Sequence, residues 1–211
     1  MNINNADSIK AGFILETING NITIFSEPIM AVGQEVMFGK NNSLADLLII
    51  YKDKLYAFEI KAYRDNFRRL NTQLSNYKKV FDYVYLVITP NHYKSLTSGP
   101  CDRIGLIVVD EKEFSIVKKA KIQKSLSKED ILETLPLSFL KKNYKYNNRT
   151  TAAFARKTLT NKSMKELKKL LLEYMKNKIN YKYKNFLAEK GDTFQYEDIS
   201  ILSLMDLSVL K

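Results

Sequence analysis

Two apolar segments separated by a tight turn place the strongest constraint on how this chain folds. Residues 44–51 (LADLLIIY) and 54–62 (KLYAFEIKA) flank the dipeptide Lys52-Asp53, so they predict a β-hairpin. An amphipathic segment follows, with apolar residues three or four positions apart up to Phe81 and Asp65 as the predicted N-cap. A hairpin followed by such a helix indicates an α/β domain, because the helix must bury its apolar face on a sheet.

The segments around this hairpin extend the predicted sheet and add helices. The apolar runs 83–89 and 104–109 predict interior strands, and residues 114–118 predict a further hairpin strand. Residues 22–25 and 34–38 are candidates for short strands. We therefore expect a mixed central sheet flanked by helices.

Both ends of the chain predict helices. Apolar residues at helical spacing indicate a first helix capped by Asp7 or Ser8. Beyond residue 118 the composition changes to helical segments rich in Lys, Leu and Tyr. We therefore divide the chain into an α/β core, residues 1–120, and a basic, mainly helical C-terminal subdomain, residues 121–211.

Isolated charges interrupt the two strands of the hairpin. Asp46 lies among apolar residues, where a buried carboxylate is costly unless it is paired or binds a cation. In the next strand, Glu59 and Lys61 share one face because side chains alternate along a strand. The hairpin can bring Asp46 close to Glu59. Two carboxylates beside the backbone carbonyl of Ile60 suit Mg²⁺ or Mn²⁺, and the Lys61 ammonium group could stabilise charge on a phosphoryl group.

The spacing of these residues resembles a known nuclease signature. Asp46, followed after twelve residues by Glu59-Ile60-Lys61, is similar to the D-x(n)-E-x-K pattern of the PD-(D/E)xK nuclease superfamily, although Ala45 stands where proline is common. The resemblance covers residues 27–110 and implies a restriction-endonuclease-like core. It further implies that Asp46, Glu59 and the Ile60 carbonyl hold the metal and that Lys61 is the catalytic lysine.

Two further elements extend this resemblance. Residues 73–77 (QLSNY) are similar to the Q-x-x-x-Y element of the RecB-like branch, in which the two residues hold the substrate or the catalytic side chains. The alternative is that Tyr77 is a core residue and Gln73 lies on the helix surface. The superfamily often completes its metal site with an upstream acidic residue. Glu35 is our first choice for this position, with Glu16 and Glu27 as alternatives.

Positive charge is concentrated in the second half of the chain. Residues 1–110 carry 12 Lys or Arg against 11 Asp or Glu, whereas residues 111–211 carry 22 against 12, so the net charges are +1 and +10. Lysines interleaved with tyrosines suit phosphate contacts and base stacking. The alternative is a solvated helix surface. The candidate nucleic-acid-binding residues are Lys141, Lys142, Tyr144, Lys145, Tyr146, Arg149, Lys182 and Lys184.

Several other classes of protein fit the sequence poorly. The single cysteine, Cys101, allows neither an internal disulfide nor a thiolate metal cluster within one chain. The single histidine, His92, is too little for a histidine-based zinc hydrolase and is predicted to lie on a loop at the surface. No signal-peptide pattern and no membrane-spanning apolar run occurs, so we expect a cytoplasmic protein with no membrane partner.

These observations predict a Mg²⁺- or Mn²⁺-dependent deoxyribonuclease that cuts endonucleolytically, in a phage, mobile-element or repair setting. RNA is an alternative substrate, because phosphate contacts dominate the binding of both nucleic acids. A second alternative is a nucleic-acid-binding or inhibitory protein that keeps the nuclease fold without catalysis. A homodimer is compatible with the sequence.

Overall fold

The predicted hairpin forms part of a six-stranded mixed sheet whose strands are ordered as they occur in the chain. The structure is a computed structural model that describes residues 1–96, 102–189 and 196–204. β3, β4 and β5 run parallel, and the other neighbouring strands are antiparallel. The strands are β1 (Ala31–Phe38), β2 (Ser43–Tyr51), β3 (Lys54–Lys61), β4 (Tyr83–Ile88), β5 (Gly105–Val109) and β6 (Phe114–Lys118).

Helices cover both faces of this sheet. Phe13 packs on Phe58 with ring centroids 4.8 Å apart, whereas Tyr77 contacts Glu59, the next residue along β3 and therefore on the opposite face. None of the described helices is long and apolar enough to cross a membrane. The α/β fold class is confirmed. The helices are α1 (Ala6–Ile18), α2 (Leu70–Val80), α3 (Pro90–Ser95), α4 (Lys128–Thr134), α5 (Leu137–Tyr144), α6 (Ala152–Leu159), α7 (Met164–Glu189) and α8 (Tyr196–Ile199), followed by a 3₁₀ turn, Ser200–Leu202.

The N-terminal elements differ in detail from the sequence prediction. The N-cap of α1 is Asn5, whose side chain accepts the Asp7 backbone N–H, so neither Asp7 nor Ser8 is the cap. The predicted strand at 34–38 is the second half of β1, whereas residues 22–25 form a turn instead of a strand.

The helix after the hairpin begins later than the apolar spacing indicates. Asp65 is not its N-cap, because its Oδ2 accepts the Ala62 backbone N–H at 2.9 Å and closes a turn at the end of β3. The chain then continues without regular structure to Arg69, the N-cap of α2. A polar loop therefore separates the end of β3 from the start of α2.

The C-terminal helices share one hydrophobic core with the sheet. α7 lies so close to β1 that a Cβ atom on Gly33 would be 3.1 Å from Ile179 Cγ1. Near the start of α7, Lys168 forms an ion pair with the buried Asp82, which lies between α2 and β4. The predicted boundary at residue 120 thus separates two compositions, but the two segments do not have separate cores.

Candidate active site

The two carboxylates predicted from sequence lie side by side at one end of the sheet. Leu47 pairs with Phe58 in the antiparallel register of β2 and β3, so Asp46 and Glu59 are cross-strand neighbours. Both line a polar cavity of about 460 Å³ at the carboxyl end of β3. Its other lining side chains include Lys10, Lys61, Arg68, Arg69 and Gln73.

Asp46 is half-buried, and one oxygen of its carboxylate is held by the backbone. Its Oδ2 accepts the Ile60 N–H at 2.8 Å. Its Oδ1 accepts no hydrogen bond from the described residues. Burial and the charge of Glu59 raise the pKa of Asp46 to about 7, against the opposing effects of the Ile60 N–H, Lys61 and Lys10. The Asp46 carboxylate is therefore stabilised either by binding a proton or by a nearby cation.

Glu59 is more deeply buried, with 1% of its surface exposed. Its Oε2 accepts a hydrogen bond from the Tyr77 hydroxyl at 2.7 Å. Its Oε1 lies 2.6 Å from Lys61 Nζ, but this ion pair lacks hydrogen-bond geometry, so Oε1 is a buried acceptor without a hydrogen-bond partner in the part of the chain that the structure describes. Such an atom is costly unless a cation compensates it, and Lys61 at present supplies that charge.

Gln73 and Tyr77 have different positions, although they lie one turn apart on α2. Gln73 lines the cavity, and its Oε1 accepts a hydrogen bond from Lys61 Nζ at 3.1 Å. Tyr77 is fully buried, and its hydroxyl also accepts the Asp46 backbone N–H at 3.1 Å. Two roles were predicted for Tyr77, holding the catalytic side chains or holding the substrate. Its contacts suit the first role, but it has no exposed surface with which to hold a substrate.

Burial also fixes the protonation state of Tyr77. Desolvation, together with the charges of Glu59 and Asp46, raises the pKa of Tyr77 well above its ordinary value. The hydroxyl therefore keeps its proton and remains a donor to Glu59. Because the same oxygen also accepts the Asp46 N–H, the Tyr77 side chain connects α2 to β2, which carries Asp46, and to β3, which carries Glu59.

Glu35 lies opposite Asp46 in the β1–β2 register but has other partners. Its backbone is left-handed, with φ of 53°, and its side chain lines a neighbouring cavity. There its Oε2 accepts a hydrogen bond from Ser203 Oγ at 2.5 Å, and its Oε1 lies 3.8 Å from Lys10 Nζ. Glu35, the expected third metal ligand, thus contacts Ser203 and Lys10 and is not among the described residues that line the Asp46–Glu59 cavity.

The two alternatives to Glu35 are also engaged elsewhere. Glu16 accepts a hydrogen bond from the Asn21 side chain, and Glu27 pairs with Lys52 at 3.0 Å. Across the described ranges, no group of three or more His, Cys, Asp or Glu side chains converges in a metal-binding arrangement. This conformation therefore brings two carboxylates together, while Asp65, the third acidic residue that lines the cavity, accepts the Ala62 N–H with its Oδ2.

The donor set fits a hard divalent cation that retains water ligands. Carboxylate oxygens are what Mg²⁺ and Mn²⁺ prefer, and Mg²⁺ is commonly held by only one or two of them. Asp46 Oδ1 and Glu59 Oε1 accept no hydrogen bond from the described residues, and Ile60, whose carbonyl was predicted as a ligand, lines the same cavity. Lys61 would retain its hydrogen bond to Gln73 if a cation replaced it at Glu59.

Three basic residues of the cavity were missed from the sequence. Lys10 of α1 is 7% exposed and pairs with Asp7 at 2.7 Å, and nothing in the sequence distinguishes it from other helix lysines. Arg68 and Arg69 are exposed on the loop between β3 and α2. Their position between the E-x-K strand and the Q-x-x-x-Y helix is the signal from which they could have been found.

The predicted nucleic-acid-binding residues do not form one compact patch. Tyr144 lies under Lys162, next to the start of α7, whereas Lys182 near the end of α7 donates a hydrogen bond to the Ser203 carbonyl. Tyr144 and Glu166 line the same small cavity, and the sixteen helical steps from Glu166 to Lys182 span about 24 Å. The two basic runs therefore lie at different ends of α7.

Their side chains differ in how free they are to reach a ligand. Lys142, Lys145, Arg149 and Lys184 are exposed. Lys141 donates a hydrogen bond to the Asn148 carbonyl at 2.9 Å, and the half-buried Tyr146 shares a hydrogen bond with Thr158.

Comparison with known proteins identifies the family to which the chain belongs. The chain belongs to the family described as bacteriophage P4 protein cII, whose sequence model matches residues 4–207. No protein with a curated description matches it. Among solved structures, it is similar to the SPO1766 protein of unknown function from Silicibacter pomeroyi, at 20% identity and a TM-score of 0.37. That match covers 46% of this chain and 62%, less than two thirds, of the other.

Proposed function

We propose that this protein is a nuclease that depends on Mg²⁺ or Mn²⁺ and hydrolyses phosphodiester bonds of DNA. One observation carries the proposal: Asp46 and Glu59 converge in a polar cavity in which Lys61 lies between Glu59 and Gln73. The resemblance of these residues to the PD-(D/E)xK signature supports the same reading. A divalent cation at the carboxylates would polarise the phosphoryl group and lower the pKa of a bound water.

The protein's own side chains would orient this chemistry. The Ile60 N–H and the Tyr77 hydroxyl each hold one carboxylate oxygen, which leaves Asp46 Oδ1 and Glu59 Oε1 directed to other partners. Lys61 Nζ can remain at Gln73 and neutralise negative charge that develops on the phosphate. Hydrogen bonds that are formed before the substrate binds reduce the reorganisation needed during the reaction.

Charge and family support the proposed substrate and setting. The net charge of +11 favours a polyanionic partner, and the exposed basic residues of the C-terminal half could contact phosphates away from the cavity. We propose DNA cut internally as the substrate, with RNA as the alternative. The family's phage name supports a phage or mobile-element setting.

The direct test is incubation with plasmid, linear duplex, single-stranded DNA and RNA, with Mg²⁺, Mn²⁺ or EDTA. We expect cleavage with either metal and none in EDTA. Glu59→Gln should lower the rate by about 10²-fold or more, because it removes a charge at the metal and preserves the volume of the side chain. The matched control is Glu173→Gln, which changes an exposed glutamate on α7 and should leave the rate unchanged. Failure of the folded parent protein to cut any of the four substrates contradicts the proposal.

A non-catalytic nucleic-acid-binding protein is the second candidate. It is favoured by the ion pair between Lys61 and Glu59, which satisfies the charge of this carboxylate without a metal, and by the engagement of Glu35 elsewhere. This candidate predicts DNA binding that is indifferent to Mg²⁺, and thermal unfolding that Mg²⁺ does not shift. Metal-dependent stabilisation that is lost in Asp46→Asn would favour the nuclease.

A further inference from the structure

A loop beside the carboxylates carries positive charge that the proposed chemistry does not use. Residues 62–69, which we call the arginine loop, connect β3 to α2 and contribute Arg68 and Arg69 to the cavity that contains Asp46 and Glu59. We propose that the arginine loop binds two backbone phosphates of the nucleic acid strand, one at each arginine, next to the phosphate at the carboxylates. This inference rests on the proposed function, because it takes the cavity to be the place where the strand lies.

The charges of the two arginines are uncommitted, unlike those of the cavity's lysines. Lys61 pairs with Glu59, and Lys10 pairs with Asp7. Within the described residues, neither Arg68 nor Arg69 forms an ion pair, and both are exposed. A guanidinium group offers two parallel N–H donors to a phosphate, so two free arginines at the wall of a cavity suit a phosphodiester backbone.

Hydrogen bonds from backbone and side-chain groups hold the start of the arginine loop in place. The Asp65 backbone N–H donates to the Ala62 carbonyl at 3.0 Å, while the Asp65 carboxylate accepts the Ala62 N–H at 2.9 Å. The Tyr63 N–H donates to the Ile3 carbonyl at 3.0 Å, and the Asn91 side chain donates to the Tyr63 carbonyl at 3.2 Å. The loop is therefore tied both to the N-terminal segment and to α3.

The single histidine adds a further support to the loop. His92 Nε2 lies at hydrogen-bond distance, 2.9 Å, from the Ala62 carbonyl, and its ring packs on Phe67 with centroids 4.6 Å apart. Phe67 directly precedes the two arginines. Because these contacts fix the backbone before a ligand binds, less conformational entropy is lost on binding. His92, which was predicted to lie at the surface, thus belongs to the scaffold of the loop.

The position of the loop indicates which part of a strand it would contact. A strand with one phosphate at Asp46 and Glu59 must place a neighbouring phosphate along the wall of the same cavity, where Arg68 and Arg69 lie. The basic runs of the C-terminal half line none of this cavity. The arginine loop would therefore act at the cleaved strand, and those runs would contact more distant phosphates.

Binding at several salt concentrations tests the inference. The parent is the Glu59→Gln protein, which keeps the substrate intact, and the probes are fluorescein-labelled single-stranded DNA, duplex DNA and RNA, with anisotropy as the readout. Arg68→Gln/Arg69→Gln should weaken binding and reduce the slope of log K against log salt by about 1.4 on single strands and about 1.8 on duplex DNA, since each lost phosphate contact removes about 0.7 or 0.9.

The matched control removes two positive charges at the other end of the sheet. Lys119 and Lys124 are exposed, and both lie near the start of β4 and β5, whereas the cavity lies at the carboxyl end of β3. Lys119→Gln/Lys124→Gln should leave the slope unchanged. Equal slopes in the arginine double variant and this control would overturn the inference.

The outcomes separate this inference from the proposed function. If the protein with the unsubstituted sequence binds DNA but does not cut it in either metal, the nuclease proposal fails, and the comparison of slopes in the Glu59→Gln background still tests the loop. Thermal unfolding verifies that the double variant is folded. If it is not, the single changes Arg68→Gln and Arg69→Gln should each reduce the slope by about 0.7 on single strands, and unchanged slopes in both would refute the loop contact.

Discussion

Replacing Asp46 with asparagine should stabilise the metal-free protein at alkaline pH. The substitution removes the negative charge beside Glu59 but keeps the side-chain volume, and the asparagine carbonyl oxygen can still accept the Ile60 N–H. The pKa of Asp46 is raised in the folded protein, so ionisation of this group opposes folding. The stability that this group contributes is fully present below its unfolded pKa and is lost as the pH rises through the folded value.

The size of the effect follows from the pKa. A rise from 3.8 to about 7 corresponds to about 4 kcal/mol in the free energy of unfolding once Asp46 is fully ionised, since one pKa unit is worth about 1.4 kcal/mol. Of this, on the order of 2 to 3 kcal/mol should be lost between pH 5 and pH 8. The Asp46→Asn protein should not show this part of the pH dependence.

Urea unfolding followed by circular dichroism in EDTA, at pH 5 and pH 8, measures the difference. The matched control is Asp53→Asn, which changes an exposed aspartate in the turn at the opposite end of β3. Addition of Mg²⁺ at pH 8 should stabilise the parent and the control, but not Asp46→Asn. Parallel pH dependences in parent and Asp46→Asn would refute the reasoning, because the charge of Asp46 would then cost the fold nothing.

Three further changes test the surroundings of the site and the packing of the fold. Tyr77→Phe removes the hydroxyl that holds Glu59 and should lower the free energy of unfolding by about 1 to 3 kcal/mol. The Mg²⁺ affinity, measured by calorimetry, should also fall, and an unaltered affinity would mean that Tyr77 is only a packing residue. Asp82→Ala breaks the ion pair with Lys168 and should cost about 3 to 5 kcal/mol in urea unfolding, and a loss below 1 kcal/mol would contradict a structural role for this pair. Gly105→Ala would place a Cβ atom 2.3 Å from the Tyr85 ring and should cost at least about 2 kcal/mol by thermal unfolding, so a normal melting temperature would argue against this close approach.

The strands of the core could be read from the sequence because their signal is local. The predicted strand at 114–118 matches β6, and the predicted strand at 44–51 differs from β2 by one residue. The predicted hairpin also indicated correctly that Glu59 and Asp46 could become neighbours, since a tight turn leaves a hairpin little freedom of register. The start of α2 was harder to predict from the sequence, because the turn closed by Asp65 depends on a specific hydrogen bond to the Ala62 N–H and not on periodicity.

The sequence by itself therefore determined the α/β class, the positions of β2 to β6 along the chain and the pair of carboxylates at the end of β3. Only the tertiary structure decided what surrounds them. Contacts between residues far apart in the chain, such as Ser203 with Glu35 and His92 with the Ala62 carbonyl, depend on how helices and loops pack around the sheet. Hydrophobic periodicity specifies which face of an element is buried, but it carries no information about which distant polar group that element will meet.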